Sequence, residues 1–314
     1  MVLAAVLSGC DAGTSPATGT QTAQLKPIPL SPGQKLRMVA TTSIVGDVVR
    51  QVGGDRIDLI TLMGTGIDPH TYVATPSDTA AVHDAHLLFL SGAGLEEGLS
   101  NILQGASGAA MEVQLSAGLH LQPAPQGSGA RPGSHSVSAD EMDPHVWLDV
   151  QNVILWVATI RDTLSALDPA NGTTYEAYAT TYTAQLRELD QWITDQVSSI
   201  PQDKRRLLTN HLTLGYFARR YGFDLLGAIY PLSPSSEPSA QDIAALEAAI
   251  REYGLHVIFT ESTVSPKLAD QVASDTGVET IRLYTESLGT PGSGAESYVD
   301  MMRYDVQAIV AGLK

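Results

Sequence analysis

The sequence predicts an α/β protein of two lobes, each a mostly parallel sheet flanked by helices, the two joined by one long rigid helix. Three observations carry that expectation. Short apolar runs alternate with helical periodicity from Leu36 onward, the same alternation restarts after Pro201, and the longest helical pattern in the chain lies between them. Strand-helix-strand order with short connections belongs to parallel sheets, because a parallel crossover needs a helix to return the chain. The 314 residues, 43% hydrophobic and 17% charged, are enough for two cores at about 150 residues each.

Residues 1–35 stand apart from this pattern. Met1 to Leu7 is apolar and closes on Leu7-Ser8-Gly9-Cys10, like the cleavage end of a secretory signal, here without a basic region before it. It is expected to be a signal remnant. Cys10 is the only cysteine, which excludes an internal disulfide. Its setting resembles a bacterial lipobox, with lipid attached at Cys10; the alternative is an ordinary small residue in an apolar run. Asp11 to Lys35 lacks aromatic residues and is rich in Gly, Ser, Thr and Pro, so it reads as a flexible tether.

The first lobe is expected over 36–168. LRMVAT (36–41) reads as a buried strand, 43–52 as a helix stopped by Gly53-Gly54, RIDLITLM (56–63) and HLLFLSG (86–92) as further strands, and 95–103 as a helix. The Gly/Pro/Ser-rich stretch 122–142 is too long and polar for a tight connection and reads as a surface loop. From Asp168-Pro169, apolar residues recur at steps of three and four: Tyr175, Tyr178, Tyr182, Leu186, Leu189, Ile193 and Val197. A helix over 169–200 spans roughly 45 Å. Such a helix either bridges two lobes as a spine or runs through the core of one.

The second lobe is expected over 201–314. Its strands are 205–209, 223–230, 255–260 and 279–284, alternating with helices to Arg220 and over 240–253, 266–276 and 295–312. Ser239 to Asp242 has capping-box spacing, and Gly254 is a stop signal.

Charge removes several classes of function. A net charge of −16 repels phosphate backbones, and only Lys204-Arg205-Arg206 interrupts it, which argues against nucleic-acid binding. No run of 18 apolar residues is present to span a membrane as a helix.

Two of the eight histidines occur in the same local sequence, Asp68-Pro69-His70 and Asp143-Pro144-His145, where proline stiffens the turn that presents the imidazole. His211, Glu261 and Glu286 each fall at or just past the carboxyl end of a predicted strand, the edge at which open α/β sheets bind ligands. With the lobes face to face, His70, His145, His211 and Glu286 can converge. Three imidazoles and a carboxylate suit Zn²⁺, whereas manganese prefers more oxygen. Glu261 is either an acceptor orienting a ligand imidazole or a cap for the next turn. His83 and His86 lack a third partner, and His120, His135 and His256 lack motif context, so these five read as surface or structural residues.

The ordered segments GIDPHTYVATPSD (66–78), DPHVWLD (143–149), TNHLTLGYFARRYGF (209–223), EPSAQDIAAL (237–246), IFTESTVSP (258–266) and LYTESLG (283–289) resemble the zinc/manganese solute-binding proteins of bacterial ABC importers. The resemblance covers nearly the whole chain after the tether. It implies two α/β lobes on a rigid helix, a divalent metal in the interlobe cleft, and delivery to a membrane permease driven by an ATPase. By motif, the implied ligands are His70, His145, His211 and Glu286. His211 stands where manganese-selective members commonly carry Glu, which implies the zinc branch. Glu286 departs from the family's usual Asp. The implied protein is an extracytoplasmic monomer, lipid-anchored to the cell membrane, and not an enzyme. Two other classes are a zinc hydrolase using Glu286 or Glu261 as base, which the absence of HExxH and GxSxG disfavours, and a surface adhesin.

Overall fold

The computed structural model describes residues 25–99, 110–125, 142–230 and 240–314. The first sheet contains β1 (Leu36–Thr42), β2 (Ile57–Met63), β3 (Leu87–Leu90) and β4 (Met111–Gln114) in the order β2-β1-β3-β4, all parallel. The second contains β5 (Arg206–His211), β6 (Asp224–Tyr230), β7 (Val257–Glu261) and β8 (Glu279–Leu283) in the order β6-β5-β7-β8, again all parallel. In each sheet the chain starts centrally, steps to one side and returns to the other. That reversal opens a crevice at the strands' carboxyl ends, between β1 and β3 and between β5 and β7.

Local sequence sets the helix boundaries. In α1 (Ser43–Gly53), the Thr42 hydroxyl accepts the Val45 N–H as N-cap. A reciprocal Thr75/Asp78 box with Pro76 in the first turn starts α2 (Pro76–Asp84). Asp149 caps α3 (Val150–Leu167) through the Gln151 N–H. The spine, α4 (Gly172–Ser198), follows a single 3-10 turn at Pro169–Asn171. The remaining helices are α5 (Gly215–Tyr221), α6 (Ala240–Tyr253), α7 (Lys267–Thr276) and α8 (Tyr298–Leu313).

On the spine, Tyr175, Ala179, Tyr182, Leu186, Leu189, Ile193 and Val197 are buried. Tyr178, expected on that face, is half-buried, its ring lying over Gly54. One apolar cluster runs unbroken from β1 and α1 through α3 and the spine to β5, β7 and α8. The spine is therefore shared core, and α8 packs on it, on α1 and on the second sheet.

Three expectations differ from the structure. Residues 95–99 form turns and one 3-10 turn at Glu97–Leu99 rather than the start of a helix, because Glu96 points inward, where its carboxylate accepts the Thr41 hydroxyl and the Ser91 and Gly92 N–H groups. β4 carries no alternating pattern and was not anticipated. The end of the tether is not free: Leu25, Ile28 and Leu30 pack on the core, and the Ile28 N–H donates to the Leu167 carbonyl. Cys10, Ser239 and most of 122–142 lie outside the described residues.

Candidate metal centre

His70, His145, His211 and Glu286 meet where the two lobes face each other, each brought by a different segment. His70 lies between β2 and α2, His145 just before the turn leading into α3, His211 at the end of β5, and Glu286 three residues past β8. One ligand atom from each falls within 4.8 Å of all the others.

The two Asp-Pro-His motifs share one backbone contact. Asp68 Oδ1 accepts the His70 N–H at 2.8 Å, and Asp143 Oδ1 accepts the His145 N–H at 3.0 Å. Only the second carboxylate also reaches the ring, with Asp143 Oδ1 2.7 Å from His145 Nδ1. With Nδ1 held there, Nε2 is the nitrogen that faces the centre and that a metal would take once its proton leaves. His211 also has a carboxylate partner, on the neighbouring strand, but here the same nitrogen, Nδ1, faces both that carboxylate and Glu286. Glu261 Oε2 lies 3.1 Å from His211 Nδ1, Glu261 Oε1 accepts the Thr213 hydroxyl at 2.5 Å, and the Glu261 N–H donates to Asn210 Oδ1. Of the two roles open to Glu261, the contact with the His211 ring is the one the first requires.

Glu286 Oε1 is the common point of the cluster. It stands 2.9 Å from His145 Nε2, 3.4 Å from His70 Nε2 and 3.5 Å from His211 Nδ1, and His70 Nε2 is 3.2 Å from His145 Nε2. The three ring centroids are each 5.3 Å apart. Donors bonded at about 2.0–2.1 Å to a tetrahedral ion stand about 3.3 Å from one another. Among the described residues, neither Glu286 oxygen receives a well-aligned hydrogen bond, so its lone pairs remain available to a cation.

Burial and charge act against each other here. Desolvation pushes the His145 imidazolium towards losing its proton, but the Asp143 and Glu286 carboxylates outweigh it and raise the pKa to about 10. His211 is raised against the same desolvation by Glu261 and Glu286. Burial favours the neutral form of Glu286, yet His70 and His145 hold its carboxyl well below the usual range. The raised pKa values of His145 and His211 and the lowered one of Glu286 thus favour the same pairing, imidazolium against carboxylate.

Sequence reasoning missed Asp143 as a partner of the His145 ring; its place two residues before a histidine already read as a turn was the one available signal. Trp147, whose Nε1–H donates to the Thr285 carbonyl at 2.8 Å, and Asn210 and Thr213 gave no sequence signal. The remaining described histidines stay away from the centre. His83 is exposed beside Asp84, His86 Nδ1 accepts the Arg37 N–H, and His120 and His256 are exposed. His135 lies outside the described residues.

Fold and site together define a two-lobed protein that binds a divalent metal ion. The chain belongs to the family described as zinc-uptake complex component A, periplasmic (ZnuA), whose model matches residues 38–312. It is 35% identical over 314 residues to the manganese-binding lipoprotein MntA of Halalkalibacterium halodurans, covering 100% of this chain and 96% of that protein. It is 31% identical over 284 residues to the zinc-binding protein TroA of Treponema pallidum, covering 88% of each. The solved structure of periplasmic zinc-binding TroA from Treponema pallidum matches with a TM-score of 0.79 at 29% identity, over 89% of this chain and 99% of that one. A manganese-bound periplasmic metal-binding protein from Candidatus Liberibacter asiaticus matches with a TM-score of 0.76 at 27% identity, over 90% and 100%. The family is a substrate-binding component of ABC metal importers, not an enzyme.

Proposed function

We propose that this protein captures Zn²⁺ outside the cytoplasm and delivers it to the permease of an ABC importer, whose ATPase drives entry. The observation that carries this reading is the convergence of three imidazoles and one carboxylate on a single buried point. His70, His145, His211 and Glu286 are the proposed ligands, Glu286 through Oε1, with Glu261 and Asp143 holding the two buried imidazoles. A nitrogen majority favours zinc over manganese. Residues 36–168 and 201–314 act as the two lobes on the 169–200 spine, and lipid on Cys10 keeps a monomer at the membrane surface.

Manganese is the second reading, favoured by the 35% identical relative named for that metal. The test is elemental analysis of protein stripped with chelator and then equilibrated with equal, limiting zinc and manganese. One zinc per chain supports the first reading, and predominant manganese replaces it with the second. Stoichiometric zinc retained after His70→Ala, His145→Ala and His211→Ala together overturns the ligand assignment.

A further inference from the structure

Of the four proposed ligands, three are sealed: His145, His211 and Glu286 have side chains at most 1% exposed, whereas the His70 side chain is 10% exposed. Dedicated carboxylates grip the rings of His145 and His211. Among the described residues, no hydrogen bond from outside the cluster holds the His70 ring; its grip is the Asp68 turn on its backbone. His70 is thus the one of the four that reaches the surface and the one least held by its neighbours.

The His70 loop is tied to the opposite lobe by a hydroxyl next to a ligand. Gly66, four residues before His70 and with φ 78°, donates its N–H to Ser287 Oγ at 2.7 Å. Ser287 directly follows Glu286. Its Oγ lies 3.2 Å from Ser43 Oγ at the start of α1, and Ser43 Oγ accepts the Leu288 N–H at 3.0 Å. All these polar groups are satisfied when Ser43 donates to Ser287 and Ser287 donates to the Leu288 carbonyl, 3.3 Å away. Ser287 and Ser43 are buried, at 1% and 8% exposure. Apart from the contacts within the metal cluster, the Gly66–Ser287 bond is the hydrogen bond that joins residues 64–75 to the second lobe among the described residues.

We infer that Ser287 is a positioning residue that, with Ser43, clasps the His70 loop to the Glu286 loop and thereby sets the rate at which the metal leaves past His70. The inference rests on the functional reading above. The clasp is uncharged, so it holds the loops at a fixed spacing without adding a charge to the cleft. It acts on release more than on capture, because it forms fully only when both loops are seated.

The test is stopped-flow release of Zn²⁺ into excess chelator from the wild type, Ser287→Ala, Ser287→Thr, Ser43→Ala, His70→Ala and the Ser287→Ala/His70→Ala double variant. Removing one partner of a buried hydrogen bond is worth roughly tenfold. Ser287→Ala is expected to release zinc about tenfold faster with association nearly unchanged, Ser43→Ala to shift in the same direction, and Ser287→Thr to restore the slow rate. In the His70→Ala background the Ser287 substitution should add nothing, because the loop it holds no longer carries a ligand. A wild-type release rate in Ser287→Ala, or equal acceleration with and without His70, would overturn the clasp. Zinc content of the wild type in the same samples separates the two layers: no bound zinc overturns the functional reading itself.

Discussion

Metal capture by this site should expel at least one proton at neutral pH, and the structure sets the scale. His145 is fully buried between Asp143 and Glu286, which raise its pKa to about 10. Zinc takes only the neutral imidazole. At pH 7 the proton must therefore be removed about three units below its pKa, which costs about 4 kcal/mol, or roughly a thousandfold in apparent affinity. Affinity should rise about tenfold per pH unit from pH 6 towards 10, and more steeply at the acid end, where His211, also raised, carries a second proton. Calorimetric titration in two buffers of different ionisation enthalpy counts the protons released, and chelator competition across pH gives the slope. Asp143 is the largest of the charges that raise His145, so Asp143→Asn should flatten the slope while weakening binding through the loosened ring. The metal-free protein responds in the opposite direction. A histidine whose folded pKa is raised contributes stability that is complete below its unfolded value near 6.5 and is lost as pH rises towards 10. Thermal midpoints measured in chelator should fall across that window. Flat affinity between pH 6 and 8, with no proton released, would refute the idea that protonated imidazoles balance Glu286 before the metal arrives.

Other perturbations test the surroundings of the site. Asp305 on α8 is buried, accepts the Tyr284 N–H through Oδ1, leaves Oδ2 without a partner among the described residues, and is pushed up to about 8 by burial. An acid raised in this way loses stability as pH climbs from about 4 to 8, so Asp305→Asn should stabilise by a few kcal/mol, on the order of 1.4 kcal/mol per pKa unit. That gain should grow from pH 5 to pH 8 in thermal unfolding; a constant effect would contradict the assignment. Gly215 opens α5 against Asp143 Oδ2, and a methyl group there collides with it. Gly215→Ala should cost about 1–3 kcal/mol of stability and weaken zinc binding, because Asp143 must move off His145; unchanged stability and affinity would show that the collision relaxes freely. Glu261→Gln should lower zinc affinity about 10- to 100-fold in chelator competition if Glu261 orients His211, and leave it unchanged if Glu261 merely caps a turn.

What the sequence disclosed depended on repetition. The spine and the strand-helix alternation were legible because burial on one face recurs over many turns, and α6 was bounded correctly as Ala240–Tyr253. β4 was not, since Met111–Gln114 lies at a sheet edge with three of its four residues exposed and so carries no alternation. Leu25, Ile28 and Leu30 were read as tether because proline and polar residues separate them, leaving no period to betray their packing on the core. The 95–103 stretch misled for the opposite reason: its residues suit a helix, but Glu96 is buried, its carboxylate satisfied by three donors at the end of the first sheet. The convergence of His70, His145, His211 and Glu286 was legible because one motif occurs twice and strand ends are favoured places for ligands. Asp143 lay inside that motif without its contact to the ring being foreseen, and Thr213 and Asn210 carry no spacing of their own.

The shared core bears on how the ion enters and leaves. In a hinged binding protein the lobes swing as units, which requires a connection that bends and a seam that parts. Here the connection is the 27-residue α4, whose buried residues belong to an apolar cluster that reaches both sheets. The seam is bonded through the backbone of both lobes: Tyr298 donates its N–H to Asp47 at 2.9 Å and its hydroxyl to the Trp147 carbonyl at 2.7 Å, while Trp147 donates to the Thr285 carbonyl. Parting it would expose Trp147 and Tyr298, both almost wholly buried, at about 1.5–3 kcal/mol for each large side chain before any hydrogen bond is counted. Exchange should therefore proceed through the His70 loop and small tilts of the lobes. For a chain of this length the radius of gyration is near 20 Å, and X-ray scattering should show it changing by less than about 1 Å when zinc is added to stripped protein. Compaction of several ångströms would mean that the spine bends and that the apolar seam between the lobes opens with each cycle.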